Sequence, residues 1–223
     1  VFLIDKPLHW TSFDIVKKMK YAGKFKKIGH AGTLDPLATG LLIICTGKKT
    51  KEIETYQAQI KEYTGTLVLG KTTPSYDLET EVDAEYPTEH ISNELLNDTL
   101  KQFIGFIEQV PPIHSAVKVN GKRAYEAARK GQEIELRTRT IEIKTFEIDA
   151  IHFPEIAFRV VCSKGTYIRS LVNDFGKALQ SGVYMSGLRR TKIGEFDVKN
   201  ALSIEAFVEQ NRPKENEATL PTN

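Results

Sequence analysis

Gly29-His30-Ala31-Gly32-Thr33-Leu34-Asp35-Pro36-Leu37-Ala38-Thr39-Gly40-Leu41-Leu42 sets one carboxylate, that of Asp35, in an otherwise uncharged loop. Three glycines and a proline mark irregular backbone that can pass close to a ligand. The apolar run Leu41 to Cys45 reads as a buried strand that anchors the loop. A carboxylate among Leu34, Leu37 and Leu41 is costly to bury unpaired. Two readings of this stretch stand side by side: Asp35 caps or pairs with something structural, or its charge is kept for chemistry.

The charges around this loop are segregated. Lys17, Lys18, Lys20, Lys24, Lys26 and Lys27 crowd the stretch just before it, and Lys118, Lys122, Arg123, Arg129, Lys130, Arg137 and Arg139 form a second cluster. Residues 77–98 carry eight acids and no Lys or Arg, so a net charge of +2 for the chain leaves +10 on the remainder. That distribution fits a polyanionic partner such as RNA, set against the plainer reading that lysines solvate a helix face.

With 223 residues, 40% of them hydrophobic and 27% charged, the chain is read as one soluble domain. No apolar stretch approaches the length of a membrane span, and Val1 to Asp5 resembles a core strand more than a signal peptide, so a cytoplasmic location is expected and no membrane contact. Cys45 and Cys162 sit in separate apolar runs and read as buried thiols. The chain starts at Val1 rather than at methionine, and its amino terminus is taken as incomplete.

Periodicity predicts a strand over residues 1–5, a helix capped by Ser12 and running to about Tyr21, and a helix near residues 48–56. A strand from Tyr63 to Leu69 precedes an acidic excursion over about 74–90, expected to run over the surface and to face away from any RNA. Ser92 is placed to cap a helix whose apolar side carries Leu95, Leu96, Leu100 and Phe103. A basic, thumb-like excursion over about 107–131 follows, with Pro111-Pro112, a turn at Val119-Asn120-Gly121 and a short helix near residues 124–130. Ile141 and Ile143 alternate, and the phase slips at Lys144-Thr145 before Phe146 and Ile148, which predicts a bulge. Ile156, Phe158, Val160 and Cys162 alternate without a break; then come a helix carrying Ile168, Leu171, Val172 and Leu179, a strand near 183–193 and a last helix near 204–208. Elements in this order without a strict βαβ rhythm argue α+β, with a largely antiparallel sheet. Residues 1–210 read as the domain, and 211–223 as a polar, disordered tail.

Several familiar motifs fail on inspection. Thr46-Gly47-Lys48-Lys49-Thr50 lacks the glycine and the hydroxyl that a phosphate loop needs at positions 42 and 49. Ser115-Ala116-Val117-Lys118 has none of the partner motifs of serine acylases. The five histidines show no metal spacing, so metal catalysis is not expected.

Lys6-Pro7, the Asp35 loop, Lys61-Glu62-Tyr63, Pro111-Pro112-Ile113-His114-Ser115-Ala116, Gly165-Thr166-Tyr167-Ile168-Arg169 and Leu188-Arg189-Arg190 together resemble the TruB family of tRNA pseudouridine synthases. The resemblance runs from about Leu3 to Ile193. It implies the pseudouridine-synthase fold, a bent, mixed, largely antiparallel sheet flanked by helices around a central cleft. It also implies a cofactor-free isomerase that turns uridine 55 in the T loop of tRNA into pseudouridine.

In that reading Asp35 attacks covalently or takes a sugar proton, Arg169 keeps the Asp35 pKa low and fixes its orientation, and Tyr63 is the platform on which the everted base stacks. Leu188 completes the pocket wall, His30 fills the gap the base leaves in the RNA, and Gly32 and Thr33 belong to the substrate loop. Lys6 buttresses the site, while Lys118, Lys122, Arg123 and Arg129 grip phosphates. The implied partner is the tRNA T arm, with a monomer and no obligate protein partner. His9 and His114 depart from the family's glycine and tyrosine, and no C-terminal PUA domain is expected. Two rival readings stand beside it: a tRNA-binding or RNA-folding factor in which Asp35 is only structural, and a guide-RNA-dependent relative.

Overall fold

The computed structural model describes residues 1–113 and 136–212, and the backbone of 118–119 and 122–123. In chain order β1 (Phe2–Lys6), α1 (Ser12–Ala22), β2 (Ile28–Ala31) and β3 (Ala38–Thr46) come first, then a 3-10 turn over Gly47–Glu52, α2 (Ile53–Ala58) and β4 (Lys61–Leu69). β5 (Lys71–Thr72) and β6 (Ala84–Glu85) pair at the base of the acidic segment, before α3 (Asn93–Lys101) and β7 (Gly105–Gln109). β8 (Lys118–Val119) and β9 (Lys122–Arg123) pair across the Asn120-Gly121 dipeptide, as expected of that turn signal. The chain continues through β10 (Arg139–His152), β11 (Glu155–Cys162), α4 (Ile168–Ala178), β12 (Val183–Ile193), β13 (Phe196–Asp197), β14 (Leu202–Ser203) and α5 (Ile204–Gln210).

One mixed sheet carries the site, in the order β14-β1-β3-β12-β4-β11-β10-β7, with β2 on β3 and β13 on β12. β14 with β1 and β12 with β3 run parallel, and the other described pairs are antiparallel, as expected. β3 is apolar at successive positions because both of its faces are covered. Leu42 and Ile44 pack with Ile15, Met19 and Phe207 beneath α1 and α5, while Leu41, Ile43 and Cys45 pack with Ile53 and Tyr56 of α2. A third and larger core lies between β4, β10, β11, β12 and the helices α3 and α4. The bulge at Ile143/Thr145 falls where the phase slip predicted it.

The strand that builds the site comes late in the chain. β12 inserts between β3 and β4, and its register puts Arg190 opposite both Gly40 and Tyr63, and Leu188 opposite Ala38 and Gly65. Gly40 makes this close join possible. Its φ is +102°, and a Cβ there would come within 2.3 Å of the Arg190 carbonyl oxygen.

Two expectations need correction. Ser12 does not cap α1. Thr11 does, in a reciprocal box with Asp14, and Ser12 turns inward. The acidic excursion does not stay on the surface, because Thr73, Ser75 and Asp77 are buried where it folds back toward α4. The expected helix near 124–130, Arg129, His114, the side chains of Lys118, Lys122 and Arg123, and residues 213–223 lie outside the described residues.

Candidate active site

The loop that carries Asp35 is fixed on both sides of that residue. The Ser12 hydroxyl donates to the Leu34 carbonyl at 3.0 Å and accepts from the Leu34 amide at 2.8 Å, so the residue before Asp35 hangs from α1. On the other side, the Pro36 carbonyl accepts from the His9 amide at 2.8 Å and from Lys6 Nζ at 3.4 Å. Lys6 is buried and also donates to the carbonyls of Pro7 and Trp10, at 2.9 and 2.6 Å. Burial pulls its pKa down to about 8, the nearby Asp35 charge opposing. His9 has φ +65°, the left-handed region in which glycine is favoured, which gives a physical reason for the glycine of the family motif.

Arg169, in the first turn of α4, faces Asp35. Its Nη2 lies 2.9 Å from Asp35 Oδ2, its Nε 3.6 Å from Asp77 Oδ2, and its Nη1 donates to the Ser75 carbonyl at 3.3 Å. The guanidinium is buried and holds the Asp35 loop to the folded-back acidic segment. Arg169 was expected to keep the Asp35 pKa low. Instead burial pushes the Asp35 carboxyl above its ordinary value, Asp77 and Glu79 push the same way, and Arg169 offsets this only in part. The carboxylate still has 46% of its side-chain surface open to the cavity, so solvent moderates that rise.

Asp35, Tyr63, Arg169, Leu188, Gly32 and Thr33 line one cavity of about 630 Å³, within the size range of small-ligand sites. Lys61, Arg139, Lys164 and Arg190 line it too, and Asp35 is the only acid among the described lining residues. Tyr63 lines the cavity and is buried. Burial raises its phenol pKa against the pull of Arg190, which bonds to it, so the ring enters the site neutral. His30 is not among the lining residues. It sits on β2, partly buried, and burial lowers its pKa. Lys6 supports the loop from behind without lining the cavity.

Four residues, Arg190, Lys61, Ser12 and Asp77, have a place at the site that the sequence did not assign to them. Arg190 is buried, donates from Nε to the Leu41 carbonyl at 2.8 Å and from Nη2 to the Gly32 carbonyl at 3.0 Å, and so ties the start of the loop to β12. Strand alternation held the signal: Arg190 lies two residues from Leu188, as Lys61 lies two from Tyr63, on the same strand faces. Ser12 was seen, but as a cap. Asp77 gave no signal within its acidic run. Ser12→Ala is expected to leave the fold intact and lower turnover roughly tenfold, because small misplacements of a reacting group cost rate steeply. Crystallography of the variant together with single-turnover rates would check this, and an unchanged rate would show that the clamp does not orient Asp35.

Residues 18–168 match the family described as TruB family pseudouridylate synthase (N terminal domain). The chain belongs to this family. It is 61% identical over 216 residues to the tRNA pseudouridine synthase B of Flavobacterium johnsoniae, covering 94% of each chain. With that of Phocaeicola vulgatus it shares 56% identity over 215 residues, covering 94% of this chain and 92% of the relative. Among solved structures, a Cbf5-Nop10-Gar1 complex contains a chain that is 30% identical with a TM-score of 0.70, over 93% of this chain and 53% of that one. An H/ACA RNP bound to a substrate RNA containing 2'-deoxyuridine matches at 27% identity and a TM-score of 0.69, over 93% and 52%. This chain thus spans about half the length of the chains matched in those two structures. As a TruB-family pseudouridylate synthase it is an isomerase, and its mixed sheet with flanking helices is the fold of these relatives. Among the described residues no group of three or more metal-binding side chains clusters, and no helix is long and apolar enough to cross a membrane.

Proposed function

We propose that this TruB-family enzyme converts uridine 55 in the T loop of tRNA into pseudouridine, with Asp35 as the reacting carboxylate. The observation that carries this is the pairing of Asp35, the one acid among the described lining residues, with Arg169 in a cavity that Tyr63 also lines. The reaction breaks the bond from N1 of the base to C1' of the ribose and forms one from C5 to C1'. The C5 proton leaves and N1 gains one, so no electron donor or acceptor is required. Asp35 either adds covalently or takes a sugar proton while stabilising the electron-poor anomeric carbon. Arg169 orients the carboxylate. Tyr63 offers the everted base a stacking surface worth roughly 1–3 kcal/mol, comparable to the cost of unstacking. The neutral phenol of Tyr63 suits it to this support better than to accepting a proton. Leu188 closes the wall, Lys6 steadies the loop, His30 takes the place of the base in the RNA, and the thumb cations Lys118, Lys122, Arg123 and Arg129 hold phosphates.

The 61% identity to a tRNA pseudouridine synthase B, against 30% to the chain in the Cbf5-Nop10-Gar1 complex, favours a tRNA substrate over a guide-RNA-dependent one. Incubation with unmodified tRNA followed by mapping of pseudouridine tests the assignment: product at position 55 is expected, and product only outside the T loop would refute it. A pH profile tests the role of Asp35. The reacting form is ionised, so kcat/KM should fall on the acid side, with a midpoint above the ~3.9 of an ordinary aspartate. A profile flat down to pH ~4 would contradict the raised pKa.

A further inference from the structure

Six lysines belong neither to the cavity nor to any described ion pair. Lys17, Lys18 and Lys20 stand on α1, and Lys24, Lys26 and Lys27 on the turn between α1 and β2; all are exposed. Among the described residues none of them has a carboxylate within ion-pairing distance, whereas Lys49, Lys71, Lys101, Lys177 and Lys192 each have one. The acid of α1, Asp14, is engaged in the capping box. A surface shaped for solubility alone intersperses both signs; this one does not.

The cluster is also held in place. Lys24 adopts φ +51°, and the next residue, Phe25, packs its ring against Phe2 and Phe207 with centroids 5.7 and 6.4 Å apart. The segment carrying lysines 24, 26 and 27 is thereby anchored in the core beneath α1. Both arms leaving the turn lead to the catalytic loop: α1 begins at Ser12, which clamps Leu34, and β2 runs on toward Asp35. An eleven-residue helix is about 16 Å long, so the far lysines stand about that distance along α1 from the loop.

We propose that this face binds the phosphates of the double-stranded stem adjoining the loop that presents the target uridine. The proposal rests on the RNA-modifying reading above and adds a second contact outside the cavity. Ammonium groups on flexible stems act as point charges with no base-edge geometry, so the contact is sequence-independent and fits a duplex backbone. Phe13 and Tyr21, 68% and 74% exposed, share about a 100° arc of α1 with Lys17 and Lys20 and place apolar rings among the charges, where the shallow minor groove of an RNA stem offers ribose.

The test uses the whole protein with Lys17→Gln, Lys20→Gln and Lys24→Gln combined, binding unmodified tRNA at several salt concentrations. The slope of log K against log salt is expected to shrink by about 2 to 3, with affinity at 150 mM salt down about tenfold or more and kcat at saturating tRNA unchanged. A control with Lys71→Gln, Lys101→Gln and Lys177→Gln carries the same net charge and should keep the wild-type slope. The pair Lys26→Gln and Lys27→Gln, beyond Phe25, gives an independent second reading, with an expected shrinkage of about 1.5. A wild-type slope in both lysine variants, or an equal loss in the control, overturns the proposal. Binding is read without turnover. A wild-type enzyme that binds with the expected slope but modifies another position would therefore count against uridine 55 and not against this surface.

Discussion

Asp35→Asn is expected to lower pseudouridine formation by about four orders of magnitude or more while tRNA affinity stays within about threefold of wild type. The amide keeps the volume of the side chain and can still accept from Arg169, so the cavity should keep its shape; what disappears is the charge. The same substitution should make the protein harder to unfold. Burial raises the Asp35 pKa in the folded chain, so folding favours the protonated form. Its stabilising contribution is present below the unfolded pKa and is lost as pH rises through the folded value, which leaves the ionised carboxylate opposing the fold at neutral pH. The variant is thus expected to be inactive with a higher unfolding midpoint at pH 7, the trade-off common at sites kept for chemistry. Product formation at a wild-type rate would remove Asp35 from the reaction, and a lowered midpoint would reverse the electrostatic account.

Arg169→Met should be the most damaging single change to stability among the site residues. Removing one partner of a buried ionic group costs roughly 3–5 kcal/mol because the other charge is left without compensation. The loss falls mainly on Asp77, which is buried, since Asp35 keeps access to water through the cavity. Arg169→Lys should recover only part of it: an ammonium is a single point, whereas the guanidinium reaches Asp35, Asp77 and the Ser75 carbonyl from three nitrogens. Denaturant unfolding of the two variants measures this. A Met variant as stable as wild type would show that other groups hold the acidic segment.

The site was legible in the sequence where its residues sit in short stretches with an unusual composition. The Asp35 loop stood out because a lone carboxylate interrupts apolar residues, and the strands at 61–69, 155–162 and 183–193 because alternation is a property of neighbouring residues. Apart from the Asp35–Arg169 pair, which the family resemblance implies, contacts that join distant segments were not legible. Ser12 reads as a cap from local pattern, and Thr11 takes that place because Asp14 three residues later completes the box, which frees the serine for Leu34 across the fold. Asp77 sits in a run of acids that looks solvated, and only the return of that segment onto α4 brings it to Arg169. The direction of the Asp35 pKa shift is hidden from the sequence for a related reason. One favourable neighbour can be guessed from a motif, whereas burial and two further carboxylates are properties of the assembled pocket.

The position of β12 has a consequence for how the enzyme is made. This strand, drawn from the last fifth of the chain, lies between β3 and β4 and joins them. A ribosome therefore completes the segments bearing Asp35 and Tyr63 well before the strand that sets them side by side has emerged, and until Ile193 is released those two edges stand open. A chain that stops short of Ile193 lacks the strand that joins these edges, and exposed edges of this kind invite mispairing, so the pocket can form only after β12 has emerged.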